Sequence, residues 1–229
     1  MGGESKGLKA VCLVSGGMDS CVCAAIAAKE CDELYFLHLN YGHRTEERER
    51  KAFHDLAEYF EVSGVLEVDV SFLRKIGGSS LTDKGIDVPE ADLSREEIPP
   101  TYVPFRNANI LSIATSWAEV VGAGRIYFGA VEEDSSGYPD CRESFVSSFQ
   151  QTIDEGTKPE TKIEIVAPLI HLSKKEIVLK GKELNAPFEL TWSCYQSNGP
   201  KACGICDSCA LRKKGFKEAG SVDPVEYER

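Results

Sequence analysis

The chain has 229 residues, of which 37 are acidic and 26 basic, for a formal net charge of −11. With 42% apolar residues it can bury a sizeable core, which excludes a disordered chain, and its acidic balance argues against a general polyanion binder, although backbone amides can still build a local phosphate site. No apolar run is long enough to span a bilayer, residues 1–9 lack the apolar stretch of a signal peptide, and nine cysteines in such a chain point to reduced thiols and a metal rather than disulfides, so the expectation is a cytoplasmic, soluble enzyme.

Residues 9–14 (KAVCLV) form a short apolar run that reads as a strand buried on both faces. A Gly-containing loop over 15–20 leads to a small, apolar segment of helical length at 21–29. Residues 33–40 (ELYFLHLN) predict a second strand, and 45–60 a charged amphipathic helix whose Ala52, Phe53, Leu56, Ala57 and Phe60 recur at helical spacing. A third strand follows over 64–70. The rhythm resumes with a helix near 108–121, a strand at 125–131, a helix near 143–155 and a strand at 163–166. Alternation of this kind predicts an α/β fold, a doubly wound parallel sheet. Two stretches break it. Residues 77–104 carry four prolines and little periodicity, as a lid or binding loop would. From about residue 190 the composition turns to cysteine, glycine and lysine, and the reading is a Rossmann-like α/β domain over 1–189 with a small zinc-binding helical region over 190–229 packed on it.

The loop Val14-Ser15-Gly16-Gly17-Met18-Asp19-Ser20 lies between a buried strand and a helix start, where glycines let the backbone approach an anion and the helix N-terminus supplies free N–H groups. It is neither a Walker loop nor a dinucleotide fingerprint. Asp19 is the acid suited to Mg²⁺ on bound phosphates. At the other end, Cys194, Cys203, Cys206 and Cys209 place four thiols within sixteen residues. Two-residue spacers let thiolates converge on one ion; four soft ligands suit a closed, structural Zn²⁺ site, and the same ligands serve an iron–sulfur cluster. Cys12, Cys21, Cys23, Cys31 and Cys141 read as small core residues, and His38 as a satisfied core histidine.

The loop resembles the SGGxDS loop of the ATP pyrophosphatases, and five segments together resemble the 7-cyano-7-deazaguanine synthase family: residues 15–20, Val103-Pro104-Phe105-Arg106-Asn107, Gly137-Tyr138-Pro139-Asp140-Cys141-Arg142, Thr191-Trp192-Ser193-Cys194-Tyr195 and residues 203–209. They fall in family order over nearly the whole chain. The chain departs from the family where Tyr41-Gly42-His43-Arg44-Thr45 replaces Tyr-Gly-Gln-Arg-His, and where Phe105 replaces a glycine. The resemblance implies ATP-dependent conversion of 7-carboxy-7-deazaguanine and ammonia to a nitrile by way of an adenylated carboxylate and an amide, in the making of queuosine or archaeosine. It implies ATP, Mg²⁺ and Zn²⁺, small-molecule partners only, and a homodimer. Ser15, Gly16, Gly17, Asp19 and Ser20 would then hold the phosphates, Asn40, Tyr41 and Gly42 would lie beside the adenine, and Arg106 and Asn107 would reach phosphate or substrate carboxylate. Asp140 and Arg142 are candidates for reading the purine-like base. Lys174 either balances phosphate charge or is a surface cation at a helix start. The rival reading is another ATP pyrophosphatase such as a tRNA-thiolating enzyme, against which the acidic balance weighs.

Overall fold

The structure is a computed structural model and describes residues 7–83, 85–95, 97–132 and 137–229. The leader-free reading of residues 1–9 therefore falls largely outside the described residues. Strands β1 (Lys9–Leu13), β2 (Glu33–Asn40), β3 (Gly64–Asp69), β4 (Arg125–Phe128) and β5 (Glu164–Val166) form one sheet in the order β3-β2-β1-β4-β5. All neighbouring pairs are parallel, with Leu13 opposite Leu37 on one side and Phe128 on the other.

The period of two along each strand builds two cores. Ala10 and Cys12 of β1, Phe36 of β2 and Tyr127 of β4 face one side. There they pack on α1 (Met18–Glu30), α2 (Glu46–Tyr59), α6 (Lys174–Glu183) and α7 (Asp207–Glu218). Val11, Leu13, Leu37, Ile126 and Phe128 face the other side, against α4 (Arg106–Val121) and α5 (Glu143–Gly156). The sheet is thus doubly wound, as expected from the alternation. The order of connection reverses between β1 and β4, so the loops leaving their carboxyl ends part and open a crevice.

The elements differ from expectation mainly at their ends. Helix α1 begins at Met18 rather than 21, because the glycine loop turns straight into it. Strand β4 stops at Phe128, and Gly129, Ala130 and Val131 leave the sheet to line the crevice. A short helix α3 (Phe72–Ile76) was not expected; α6 begins at Lys174, where a helix start was read, and carries a complete capping box, Ser173 with Glu176, and α7 is the helix of the C-terminal region. The described residues of 77–104 are held at several points, Thr101 and Tyr102 against Tyr138. Arg44 donates to the carbonyls of Ser80, Asp83 and Ile86, Ala91 N–H to Ile205, and Arg95 pairs with Asp207 at 3.1 Å. The segment is a strap fastened to the turn before α2 and to the cysteine region.

Candidate active site

The crevice holds a cleft of about 250 Å³, and its floor is the loop from Val14 to Ser20. Gly16 has φ +87°, and a Cβ there would stand 2.7 Å from the Glu49 carbonyl oxygen, so glycine is required both by conformation and by the approach of α2. Gly17 precedes α1 and offers no side-chain cap; Met18 N reaches Ser193 Oγ at 3.4 Å, and the positive end of the helix dipole lies at the cleft. The Ser15 and Ser20 hydroxyls stand 3.2 Å apart beneath.

Asp19, in the first turn of α1, accepts from Lys174 Nζ at 2.7 Å through Oδ2, while its Oδ1 is buried and has no hydrogen-bond partner among the described residues. Lys174, at the start of α6, is only 5% exposed. Of its two readings, the surface cation is thus excluded: the lysine points inward, carried there by the packing of α6 on α7 at Gly215, where a Cβ would stand 2.8 Å from the lysine's own Cβ. A carboxylate oxygen left open beside a phosphate-binding loop fits Mg²⁺, which takes one or two protein carboxylates and fills its shell with phosphate oxygens and water.

The opposite wall is aromatic. Arg106 opens α4, donates to the Tyr41 hydroxyl at 3.0 Å and lies over the Tyr41 ring at 5.3 Å, with Tyr138 and Tyr195 beside it in the lining. The residue before it, Phe105, has φ +57° and ψ 25° in the left-handed region, so the backbone keeps the glycine-like conformation that the family's usual residue would favour. Phe105 supplies no cap to α4. Asp140 does so instead: its Oδ2 accepts from Asn107 N at 3.0 Å, and Asn107 Nδ2 donates to the Asp140 carbonyl and to Cys141 Sγ. Burial pushes the Asp140 carboxyl up, opposed by that amide and by Arg106. Cys141 lines the cleft, and burial raises its thiol to about 12, which keeps it protonated and poorly nucleophilic.

Most of the sequence-derived residues therefore converge. Val14, Ser15, Gly17, Met18, Asp19, Ser20, Tyr41, Arg106, Asn107 and Lys174 line one cleft. Gly16 supports the loop from below, its carbonyl accepting from Trp192 N at 2.8 Å. Asn40 and Gly42 lie outside the lining: Asn40 Nδ2 donates to Glu67 and Gly42 N to Glu46. Asp140, 3% exposed, is engaged by the end of α4, and Arg142 is exposed outside the lining; neither faces the cleft as base reading would require.

Several lining residues escaped the sequence reading. Glu49 carried no signal within a run of charges. It is paired with His43 at 3.0 Å and accepts from Thr45 at 3.0 Å, so both departures in the 41–45 motif serve one buried carboxylate. Burial opposes ionisation of Glu49, but His43 and Thr45 outweigh it and hold the carboxyl below its usual range. Trp192, Ser193, Tyr195 and Arg212 also line the cleft.

The sulfurs of Cys194, Cys203, Cys206 and Cys209 all lie within 4.8 Å of one another, and all four residues are buried. Tetrahedral Zn–S bonds of ~2.3 Å place sulfurs roughly 3.8 Å apart, and Cys203 and Cys209 are separated by 3.9 Å. Backbone N–H groups of Ser197 and Cys203 point at Cys194 Sγ, each at 3.3 Å. Donation from Cys206, then from Cys209, holds the Cys194 thiol far below the ordinary range, so one thiolate is already favoured. The donor set fits a metal, and with no open position the site is structural.

A doubly wound parallel sheet, a glycine loop running into a helix N-terminus and an acid left open beside it define a nucleotide-binding α/β protein of the ATP pyrophosphatase type. Residues 9–220 match the family model of Queuosine biosynthesis protein QueC, and the chain belongs to that family. It is 58% identical over 221 residues to a 7-cyano-7-deazaguanine synthase of Chlorobaculum parvum, covering 96% of this chain and 97% of that protein. It is 59% identical to the same-named protein of Chlorobaculum tepidum, with equal coverage. Among solved structures, a 4-thiouridine synthetase in complex with RNA and ATP shares the fold, with a TM-score of 0.52 and 21% identity over 93% of this chain and 50% of that one.

Proposed function

We propose that the chain is an ATP-dependent ligase that converts 7-carboxy-7-deazaguanine and ammonia to 7-cyano-7-deazaguanine for queuosine biosynthesis. What carries this reading is that the phosphate loop and both motif segments, represented by Tyr138 and Cys141 and by Trp192, Ser193 and Tyr195, line a single cleft.

A carboxylate resists attack by ammonia until one oxygen becomes a leaving group. The substrate carboxylate would attack the α-phosphorus of ATP and release pyrophosphate; ammonia then displaces AMP and leaves the amide. The amide oxygen attacks a second ATP in the same way, and loss of AMP and a proton yields the nitrile. Both rounds need the same geometry, so one cleft serves twice. The amides at the start of α1, with Ser15, Gly16, Gly17 and Ser20, would hold the departing pyrophosphate, and Lys174 would offset its charge. Asp19 Oδ1 would hold Mg²⁺, which when bound neutralises phosphate oxygens. Arg106, aimed by Tyr41, would take the substrate carboxylate in the bidentate manner its planar fork allows, and Asn107 would orient it. Asp140 serves through the helix it caps. The cysteines hold Zn²⁺ as a structural ion.

No described helix is long and apolar enough to cross a membrane, and the charge of −11 weighs against a nucleic acid as substrate. A cytoplasmic homodimer acting on small molecules completes the proposal. The test is mass spectrometry after incubation with 7-carboxy-7-deazaguanine, ammonium, Mg²⁺ and ATP. Nitrile and AMP are expected; zinc-loaded, folded protein that gives neither amide nor nitrile would overturn the reading.

A further inference from the structure

Strand β2 presents to the cleft a side chain that none of the roles above uses. His38 is 1% exposed, and its ring lies on Phe53 of α2 at 5.0 Å with the planes 26° apart. Its Nδ1 stands 2.9 Å from the Val14 carbonyl oxygen. A carbonyl only accepts, so Nδ1 carries the hydrogen and the neutral ring keeps its lone pair on Nε2. Burial lowers the pKa of His38, which holds the ring neutral at pH 7.

Nε2 is buried and has no hydrogen-bond partner among the described residues, yet His38 lines the cleft. A buried acceptor without a donor is costly, and it persists where a ligand brings the donor. The other buried polar atoms of β2 and α2 without a partner among the described residues, Asn40 Oδ1 and Arg48 Nε, belong to residues outside the cleft lining. Asn40 Nδ2 donates to Glu67, the Tyr41 hydroxyl accepts from Arg106, and Glu49 is held by His43 and Thr45. The position is also specific. Val14 directly precedes the phosphate loop, so His38 stands at the edge of the triphosphate site, on the α2 side. Arg106, Tyr138 and Tyr195 gather at α4.

We propose that His38 Nε2 accepts a hydrogen bond from the exocyclic amine of adenine, so that His38 is a specificity-determining residue favouring ATP over nucleotides that lack this donor. The inference rests on the cleft being the ATP site. GTP would set its O6 acceptor against the Nε2 lone pair, and purine riboside 5′-triphosphate would leave Nε2 unpaired. The deazaguanine substrate also carries an exocyclic amine, and the experiment separates the two sources.

Equilibrium binding of ATP, purine riboside 5′-triphosphate and GTP, each with Mg²⁺, is measured on the zinc-loaded wild type and on His38→Phe and His38→Gln. The wild type should bind ATP about tenfold tighter than purine riboside 5′-triphosphate, the usual scale for leaving a buried acceptor unpaired. His38→Phe keeps the stacking on Phe53 and should bind the two equally, while His38→Gln, which retains an acceptor, should recover part of the preference. Equal binding of ATP and purine riboside 5′-triphosphate by the wild type overturns the inference without any variant. An unchanged preference in His38→Phe, or a uniform loss of all three nucleotides, also overturns it. So does a His38→Phe effect confined to the KM ratio between the deazaguanine and its 2-desamino analogue, which would give the contact to the substrate instead. Failure of the underlying reading looks different: the wild type would bind none of the three triphosphates.

Discussion

At the scale of single residues, the site is organised around charges that are buried only because each has a partner. Asp19 and Lys174 meet at 2.7 Å, with the lysine side chain 7% exposed, and the carboxylate keeps one oxygen open. Asp19→Asn preserves the shape and removes the charge that would bind Mg²⁺. Its kcat should fall about 10²–10³-fold, the scale of losing one preorganised electrostatic group, and its melting temperature should drop as well, because the buried Lys174 loses its counter-charge. Steady-state AMP release and a thermal melt on the same sample check both halves. Glu49 allows a test in pH. Its carboxyl is held below the ordinary 4.5, so the ionised form stabilises the fold fully above that value, and the stabilisation is lost as pH falls through the depressed pKa. The stability difference between wild type and Glu49→Gln should therefore be about 1–3 kcal/mol at pH 7 and shrink as pH falls below the ordinary carboxylate range, as followed by urea unfolding across pH. Phe105 gives the opposite sign. Its left-handed backbone costs a non-glycine residue about 1–2 kcal/mol, part of which glycine returns through unfolded-chain entropy, and its ring is 61% exposed. Phe105→Gly should stabilise by about 0.5 kcal/mol, read as a melting temperature one to two degrees higher. No rise, or a fall, would mean that the edge contact with Phe145 outweighs the strain.

At the scale of elements, the four residues Trp192 to Tyr195 join what composition had kept apart. Trp192 N–H donates to the Gly16 carbonyl, Ser193 Oγ accepts from Met18 N at 3.4 Å, Cys194 enters the metal cluster, and Tyr195 joins the wall around Arg106. One extended stretch thus reaches the phosphate loop, the metal and the substrate wall in turn. The cysteine region is thereby tied to the glycine loop through Trp192 and Ser193. Removing the ion with a chelator, or replacing Cys206 by Ser at the start of α7, should weaken ATP binding about tenfold as this stretch loosens. Zinc content by elemental analysis and ATP affinity by calorimetry are measured together. Metal loss with unchanged ATP affinity would show the two to be uncoupled. The individual motifs were legible because each is local: a strand, two glycines and a helix start, or two-residue spacers between thiols. Their coupling was not, since the bond from Met18 to Ser193 spans 175 residues and no periodicity reports it. Lys174 makes the same point. Its burial follows from the close approach of Gly215, and a lysine at a helix start looks like a surface cation until its neighbour is known. Glu49 was hidden for a related reason, being one of several charges on an amphipathic helix, and only a fold that leans α2 on Gly16 separates it from the solvated ones.

At the scale of the whole molecule, alternation and strand length were enough to give the doubly wound sheet, because parallel strands buried on both faces leave little choice of architecture. The relation of residues 190–229 to the rest is set instead by packing. Phe216 of α7 is 3% exposed and belongs to the core shared by α1, α2 and α6, where its ring meets Phe188 edge-on at 5.2 Å. Arg212 is 2% exposed, pairs with Asp223 and donates to Thr191 and to the Phe188 carbonyl, so its charge is compensated by groups on both sides of residue 190. The strap from 77 to 104 adds the ion pair between Arg95 and Asp207. Cutting the chain at 189 would therefore expose one face of the principal core and remove the cover over Phe188, which costs far more than the few kcal/mol by which a domain of this size is stable. A fragment of residues 1–189 should be molten or insoluble, and the full chain should melt in one calorimetric transition whose van't Hoff and calorimetric enthalpies agree. Two separated transitions in the full chain, or a fragment with a sharp melt of its own, would establish instead that the metal-organised region is an independent unit, and the coupling of metal to phosphate loop would then have to run through Trp192 and Ser193 alone.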